Sequence, residues 1–146
     1  MLKLEANTSD KLNRSDNLVS LMRIKIPAGY AITYNKFHDV DPIQAEEEDD
    51  LLSNWEYFTE DIMQIQKLEN VNGRYVIPES NTSIIDLGWC PDSSINGEYK
   101  LVMVHVDVDE YWNELKTKRS KDRFEIRDTI EIWLRELNNN QPDDGF

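Results

Sequence analysis

Within Leu18 to Ile26, Met22, Ile24 and Ile26 alternate with Arg23 and Lys25, the period-two pattern of a strand with one buried face. Pro27-Ala28-Gly29 supplies a turn. Tyr30, Ile32 and Tyr34 then alternate with Ala31, Thr33 and Asn35, so the two segments are expected to pair as a hairpin. Asp41-Pro42 ends it, because the proline ring fixes its own backbone and restricts the residue before it. From Glu46 to Gln66 two periods compete. Leu51, Trp55, Phe58, Ile62 and Ile65 fit a helical stripe, while Ile62, Met63 and Ile65 also suit a short buried strand. The reading adopted is a helix near 46–56 followed by a strand near 60–66.

Asn72-Gly73 is a turn dipeptide that leads into Arg74 to Ile77, stopped by Pro78. Ser83 to Trp89 reads as a strand broken at Gly88, and Asn96-Gly97 marks the next turn. Tyr99 to Val106 is a nearly continuous apolar run and is expected to be central in a sheet. The last element is a helix with Ser120 as N-cap and Asp122 in the first turn. Its apolar stripe is Phe124, Ile126, Ile130, Trp133, Leu134 and Leu137, and its other face carries Glu125, Arg127, Asp128, Glu131 and Arg135. Strands first and a helix last, without βαβ alternation, predict an α+β fold: a mainly antiparallel sheet with a C-terminal amphipathic helix packed on one face.

A chain of 146 residues with 39% hydrophobic content, four Trp, six Tyr and four Phe has the means to build a core, despite a net charge of −13. The expected organisation is a polar, flexible arm over 1–17, one α+β domain over 18–138 and a flexible tail over 139–146. With Cys90 the sole cysteine, no intrachain disulfide forms, and a reducing, cytoplasmic setting is expected. No apolar run approaches the roughly 18 residues of a membrane span, and the N-terminus lacks the apolar stretch of a secretion signal.

Charge changes the picture most between Asp39 and Asp61. That stretch holds ten carboxylates, and neither Lys nor Arg occurs between Lys36 and Lys67. Such a field repels nucleic acid and draws basic proteins, although runs of this kind also occur as plain solvated loops. Aromatic residues beside a charged rim are what interfaces use as anchors. The candidate partner-binding residues are therefore Glu46, Glu47, Glu48, Asp49, Asp50, Trp55, Glu56, Tyr57, Glu60 and Asp61.

Two Asp-Val-Asp triplets, Asp39-Val40-Asp41 and Asp107-Val108-Asp109, each lie near a histidine, His38 or His105. Residues two apart share a strand face, so each could present paired carboxylates to a metal; the turn glycine of a calcium loop does not follow Asp109, and acidic strand ends are the simpler reading. Cys90 with His38 or His105 lacks a local nucleophile signature and reads as a small buried hydrophobe, with His105 a hydrogen-bonded strand residue. No Gly-rich phosphate loop, H-E-x-x-H or G-x-S-x-G occurs. The basic cluster Lys116, Lys118, Arg119, Lys121 and Arg123 offsets local acids. No catalytic residue, cofactor or metal is assigned.

The segment IIDLGWCPDSSINGEYKLVMVHVD followed by SKDRFEIRDTIEIWL resembles the small immunity proteins encoded beside bacterial polymorphic toxins, over roughly residues 83–137. The likeness runs through Gly88-Trp89, Pro91, the Asn96-Gly97 turn, the Ser120, Asp122, Arg123 helix opening and Trp133-Leu134; Cys90 stands where an aromatic is expected. It implies a cytosolic, non-enzymatic inhibitor that neutralises one toxin domain. An acidic patch suits a basic, nuclease-type target. The alternatives are an acidic nucleic-acid mimic acting on a host-defence or DNA-binding protein, and a small metal-dependent enzyme built on the triplets.

Overall fold

A computed structural model describes residues 18–46 and 49–139, so the expected arm over 1–17 and the tail beyond Asn139 lie outside the described residues. The strands are β1 (Tyr30–Asn35), β2 (Met63–Lys67), β3 (Glu69–Val71), β4 (Arg74–Val76), β5 (Thr82–Cys90), β6 (Glu98–Val106) and β7 (Trp112–Ser120), followed by helix α1 (Arg123–Asn139). The main sheet is antiparallel in the order β1-β2-β5-β6-β7, and β3-β4 is a separate ribbon. Asn72 and Gly73 both take positive φ in the ribbon's turn, the geometry for which Asn-Gly is suited. No described helix is long and apolar enough to cross a membrane.

Alternation along β5 and β6 sorts the two faces. Ile85, Leu87 and Trp89 share the main core with Leu101, Met103 and Tyr99, and with Ile126, Ile130, Trp133 and Leu134 of α1. Ile84, Val104 and Val106 form a smaller cluster on the other face. The fold is thus α+β with the helix on one face, as the pattern predicts. Lys116 and Lys118 of β7 pair with Glu136 and Glu125, tying the helix flank to the edge strand. Phe124 departs from the expected stripe: it is exposed and lies beneath the guanidinium groups of Arg123 and Arg127.

Several expectations are corrected. Leu18–Ile26 forms no strand and no hairpin with β1; it meets the Phe37-His38 segment at the Leu21↔His38 bridge and the Met22-to-Phe37 hydrogen bond, and its backbone turns onto Glu131 of α1. Met22 is buried in the main core and Ile24 and Ile26 pack partly against it, whereas Leu18 and Leu21 stay exposed. Among the described residues of 46–56 the one helical piece is the start of a short 3₁₀ turn at Trp55–Tyr57, and the strand expected at 60–66 lies at Met63–Lys67. Gly88 does not break its strand. A Cβ there would come within 2.1 Å of the Glu60 carbonyl oxygen, so glycine permits a close backbone approach. Tyr99–Val106 is interior, but β5 holds the middle of the sheet. Asp122, not Ser120, caps α1: its Oδ1 accepts from the backbone N–H groups of Phe124 at 2.9 Å and Glu125 at 3.4 Å.

Candidate functional site

The described residues of the acidic segment form a loop with no regular structure beyond the 3₁₀ turn, yet its backbone is pinned at many points. Asn54 straps its two ends: its Oδ1 accepts from the Ile43 N–H at 2.9 Å and its Nδ2 donates to the Asp41 carbonyl at 2.9 Å. The Ser53 N–H donates to the Ile43 carbonyl at 2.7 Å, and Gln44 bridges to Leu52. On the far side the loop docks on the β5–β6 connection. Leu52 N–H donates to Ser93 O at 2.9 Å, Ile95 N–H to Asp50 O at 2.7 Å and Glu60 N–H to Asp92 Oδ2 at 2.9 Å.

Beneath the loop lies an aromatic cluster that makes this docking rigid. Phe58, Trp89, Tyr99 and Phe37 are buried and meet edge-on, with ring centroids 4.8 Å apart for Phe58–Trp89, 5.0 Å for Trp89–Tyr99 and 5.5 Å for Phe37–Tyr99. The Trp89 indole N–H donates to the Ser94 carbonyl at 2.8 Å, and Gly97 packs against that indole with no room for a Cβ. Trp89 and the Asn96-Gly97 turn therefore support the loop. Trp89 itself is fully buried and offers a partner no surface.

Leu52 and Phe58 point into this core, and between them Trp55 faces outward with 47% of its surface exposed. Ile43 and Leu51, on adjoining bridged segments, are exposed to 51% and 46%. Along the same loop Glu46, Asp49, Asp50, Glu56 and Glu60 are exposed. Exposed apolar side chains thus share a hydrogen-bonded loop with exposed carboxylates, a combination that protein-binding surfaces use. Glu47 and Glu48 fall outside the described residues.

Of the candidate residues, Tyr57 is turned away from this surface. It is half-buried and packs edge-on against His38 at 4.8 Å, whose Nδ1 lies 2.7 Å from the Lys36 carbonyl. Asp61 is exposed but separate in its surroundings, lining a depression with Thr33, Tyr34, Gln64 and Asp86. Ile43 and Leu51 are not among the binding residues expected from the sequence, where Leu51 reads only as part of a helical stripe. Leu51 and Leu52 are adjacent and chemically identical, so composition gives no signal for which faces water.

The ten-carboxylate stretch also has a counter-charge that the linear sequence hides. Arg123 at the start of α1 donates through Nε to Asp39 Oδ1 at 2.7 Å and through Nη1 to Asp41. The first Asp-Val-Asp triplet is thereby an arginine clamp. The second shapes a turn: Asp107 Oδ1 accepts from the N–H groups of Asp109 at 2.9 Å and Tyr111 at 3.0 Å. The backbone hydrogen bond from Tyr111 is the largest influence holding the Asp107 carboxyl below the usual carboxylate range.

No family model, curated protein or solved structure matches the chain. Among the described residues no group of three or more His, Cys, Asp or Glu side chains is arranged to hold a metal ion. Cys90 pairs with Glu98 and His105 with Ser83, at opposite ends of the β5–β6 ladder. Seven residues of strand separate them, roughly 23 Å, too far for a thiol and its base.

Proposed function

We propose that this chain is a non-enzymatic inhibitor that binds a basic protein domain through the acidic loop, acting as the immunity protein of a bacterial toxin in a cytoplasmic setting. The observation that carries this reading is Trp55, exposed on a pinned loop that also exposes Ile43, Leu51 and carboxylates. A rigid aromatic anchor loses little conformational entropy on binding, while the surrounding charge speeds encounter with a cationic target. Asp39 and Asp41 pair with Arg123, whereas no ion pair among the described residues engages Glu46, Asp49, Asp50, Glu56 or Glu60.

The reading is tested by co-expression with the product of the adjacent gene. The wild-type chain is expected to restore growth against that toxin domain. A variant joining Trp55→Ala to Gln and Asn replacements of Glu46, Glu47, Glu48, Asp49 and Asp50 is expected to lose protection while melting like the wild type. Undiminished protection by that variant, or a neighbouring product without toxicity, counts against it.

A further inference from the structure

The two edges of the main sheet are built differently. β7 carries Glu114, Lys116, Lys118 and Arg119, the charged dressing by which proteins discourage strand addition. Lys116, Lys118 and Arg119 are moreover engaged with Glu136, Glu125 and Glu98. β1 reads Tyr-Ala-Ile-Thr-Tyr-Asn, without a charge, and exposes Ile32 and Tyr34 to 45% and 41%. Among the described residues no strand pairs with its outer side. An edge strand presents unpaired N–H and C=O groups along that side, and β1's β-branched and aromatic residues are strong strand formers.

Beside this edge is a depression of about 340 Å³ lined by Thr33, Tyr34, Asp61, Gln64 and Asp86. Tyr34, Gln64 and Asp86 lie in one row across β1, β2 and β5. The register shift between Ile32 and Tyr34 leaves Thr33 as an extra residue, and its hydroxyl donates to Gln64 Oε1 at 2.9 Å. Gln64 is in turn the register partner of Asp86 on β5. Burial is the main cause that lifts the Asp86 carboxyl above its ordinary range, the nearby charge of Asp61 adds to it, and the Gln64 side chain opposes them. The ion pairs among the described residues leave both Asp61 and Asp86 without a Lys or Arg.

We infer that β1 is a second docking site, taking an extended segment of the basic partner as an added strand whose Lys or Arg lies across Tyr34 toward Asp61. The inference rests on the proposed binding of a basic protein. Charge complementarity selects this occupant: a second copy of a chain with net charge −13 is repelled, whereas a cationic strand is drawn in. A Lys or Arg on a residue added opposite Tyr34 lies over that ring and enters the field of Asp61, which it need not touch. Asp86, on β5, also acts through its field. The Tyr34 ring beneath the cation adds a favourable face.

The test uses the full chain and short synthetic peptides of alternating Val and Thr with a central Lys, a central Glu, or N-methylated backbone amides. Hydrogen exchange by NMR reads β1, and calorimetry reads affinity. In the free chain the outward amides of Tyr30–Asn35 are expected to exchange freely, and the Lys peptide to protect them. The Glu and N-methylated peptides, and Asp61→Asn with the Lys peptide, are expected to bind about tenfold or more weakly. Neutralising Glu46, Asp49 and Asp50 should change affinity for the Lys peptide far less. The inference is overturned if β1 gains no protection, if the Glu peptide binds equally, or if the outward amides are already protected in the free chain. It is equally overturned by a dimer that Ile32→Lys dissolves, since the occupant is then a second copy. Loss of toxin protection in the loop variant with β1 unprotected by peptide would remove this inference alone and leave the proposed function standing.

Discussion

Arg123 Nε donates to Asp39 Oδ1 at 2.7 Å, joining the first residue of the C-terminal helix to the start of the acidic loop 84 positions earlier. The guanidinium is largely buried while both of its carboxylate partners face solvent. The clamp fixes where the loop departs from the core.

Arg123→Met should therefore destabilise the fold by about 1–2 kcal/mol, less than a fully buried pair would cost because Asp39 and Asp41 remain hydrated. Arg123→Lys should recover only part of this, since an ammonium cannot reach both carboxylates as a planar fork does. Denaturant unfolding of the three proteins checks the order.

Trp133 closes the core under α1, with Lys116 Nζ 5.8 Å above its ring centroid. Trp133→Ala should cost about 3–5 kcal/mol, in line with large-to-small core changes. An unchanged melting temperature would mean that the helix does not seal this face.

Gly88→Ala should also lower the melting temperature, by a different route. The new methyl meets the backbone of Glu60 rather than a side chain that can rotate aside. Overpacking of this kind costs about 1–3 kcal/mol. Because Glu60 is also held by Asp92, the loop must shift, and exchange of the Trp89 and Glu60 amides should quicken.

Asp86 predicts a pH signature. Its folded-state carboxyl is raised above 3.8 chiefly by burial, so the folded protein holds that proton more tightly than the unfolded chain. Its contribution to stability is then greatest when it is protonated and is lost as pH rises through the folded value. Asp86→Asn should raise the melting temperature at pH 7, and the difference should shrink as pH falls toward the ordinary carboxylate range. A gap that widens on acidification would contradict this assignment.

The legibility of these features in sequence follows from burial. β6 and α1 were readable because each buries one continuous pattern: Leu101, Met103 and Tyr99 toward the helix, and Ile126, Ile130, Trp133 and Leu134 toward the sheet. β7 was missed because Asn113 to Arg119 is exposed on both sides along most of its length, so no alternation is imposed on it, and Glu, Leu and Lys favour helix in isolation. Met22, Ile24 and Ile26 alternate as a strand would, but the segment meets the core with its Lys25 N–H bonded to Glu131 of α1 instead of to a neighbouring strand. At the loop, the acidic block and Trp55 were visible as residue types. Arg123 was not, since its partners are 84 and 82 positions away.

The proposed binding of a basic partner by Trp55 and the acidic loop is tested most directly by stopped-flow kinetics of the full chain with the product of the adjacent gene, the toxin domain under this proposal. Trp55→Ala is expected to raise the dissociation rate about thirtyfold, the equivalent of roughly 2 kcal/mol at an interface anchor. Neutralising Glu46, Glu47, Glu48, Asp49 and Asp50 is expected to slow association about tenfold at low salt, with the gap closing as the Debye length contracts to roughly 8 Å. Wild-type rates for both variants at low salt would contradict the account and leave the acidic loop a solvated surface.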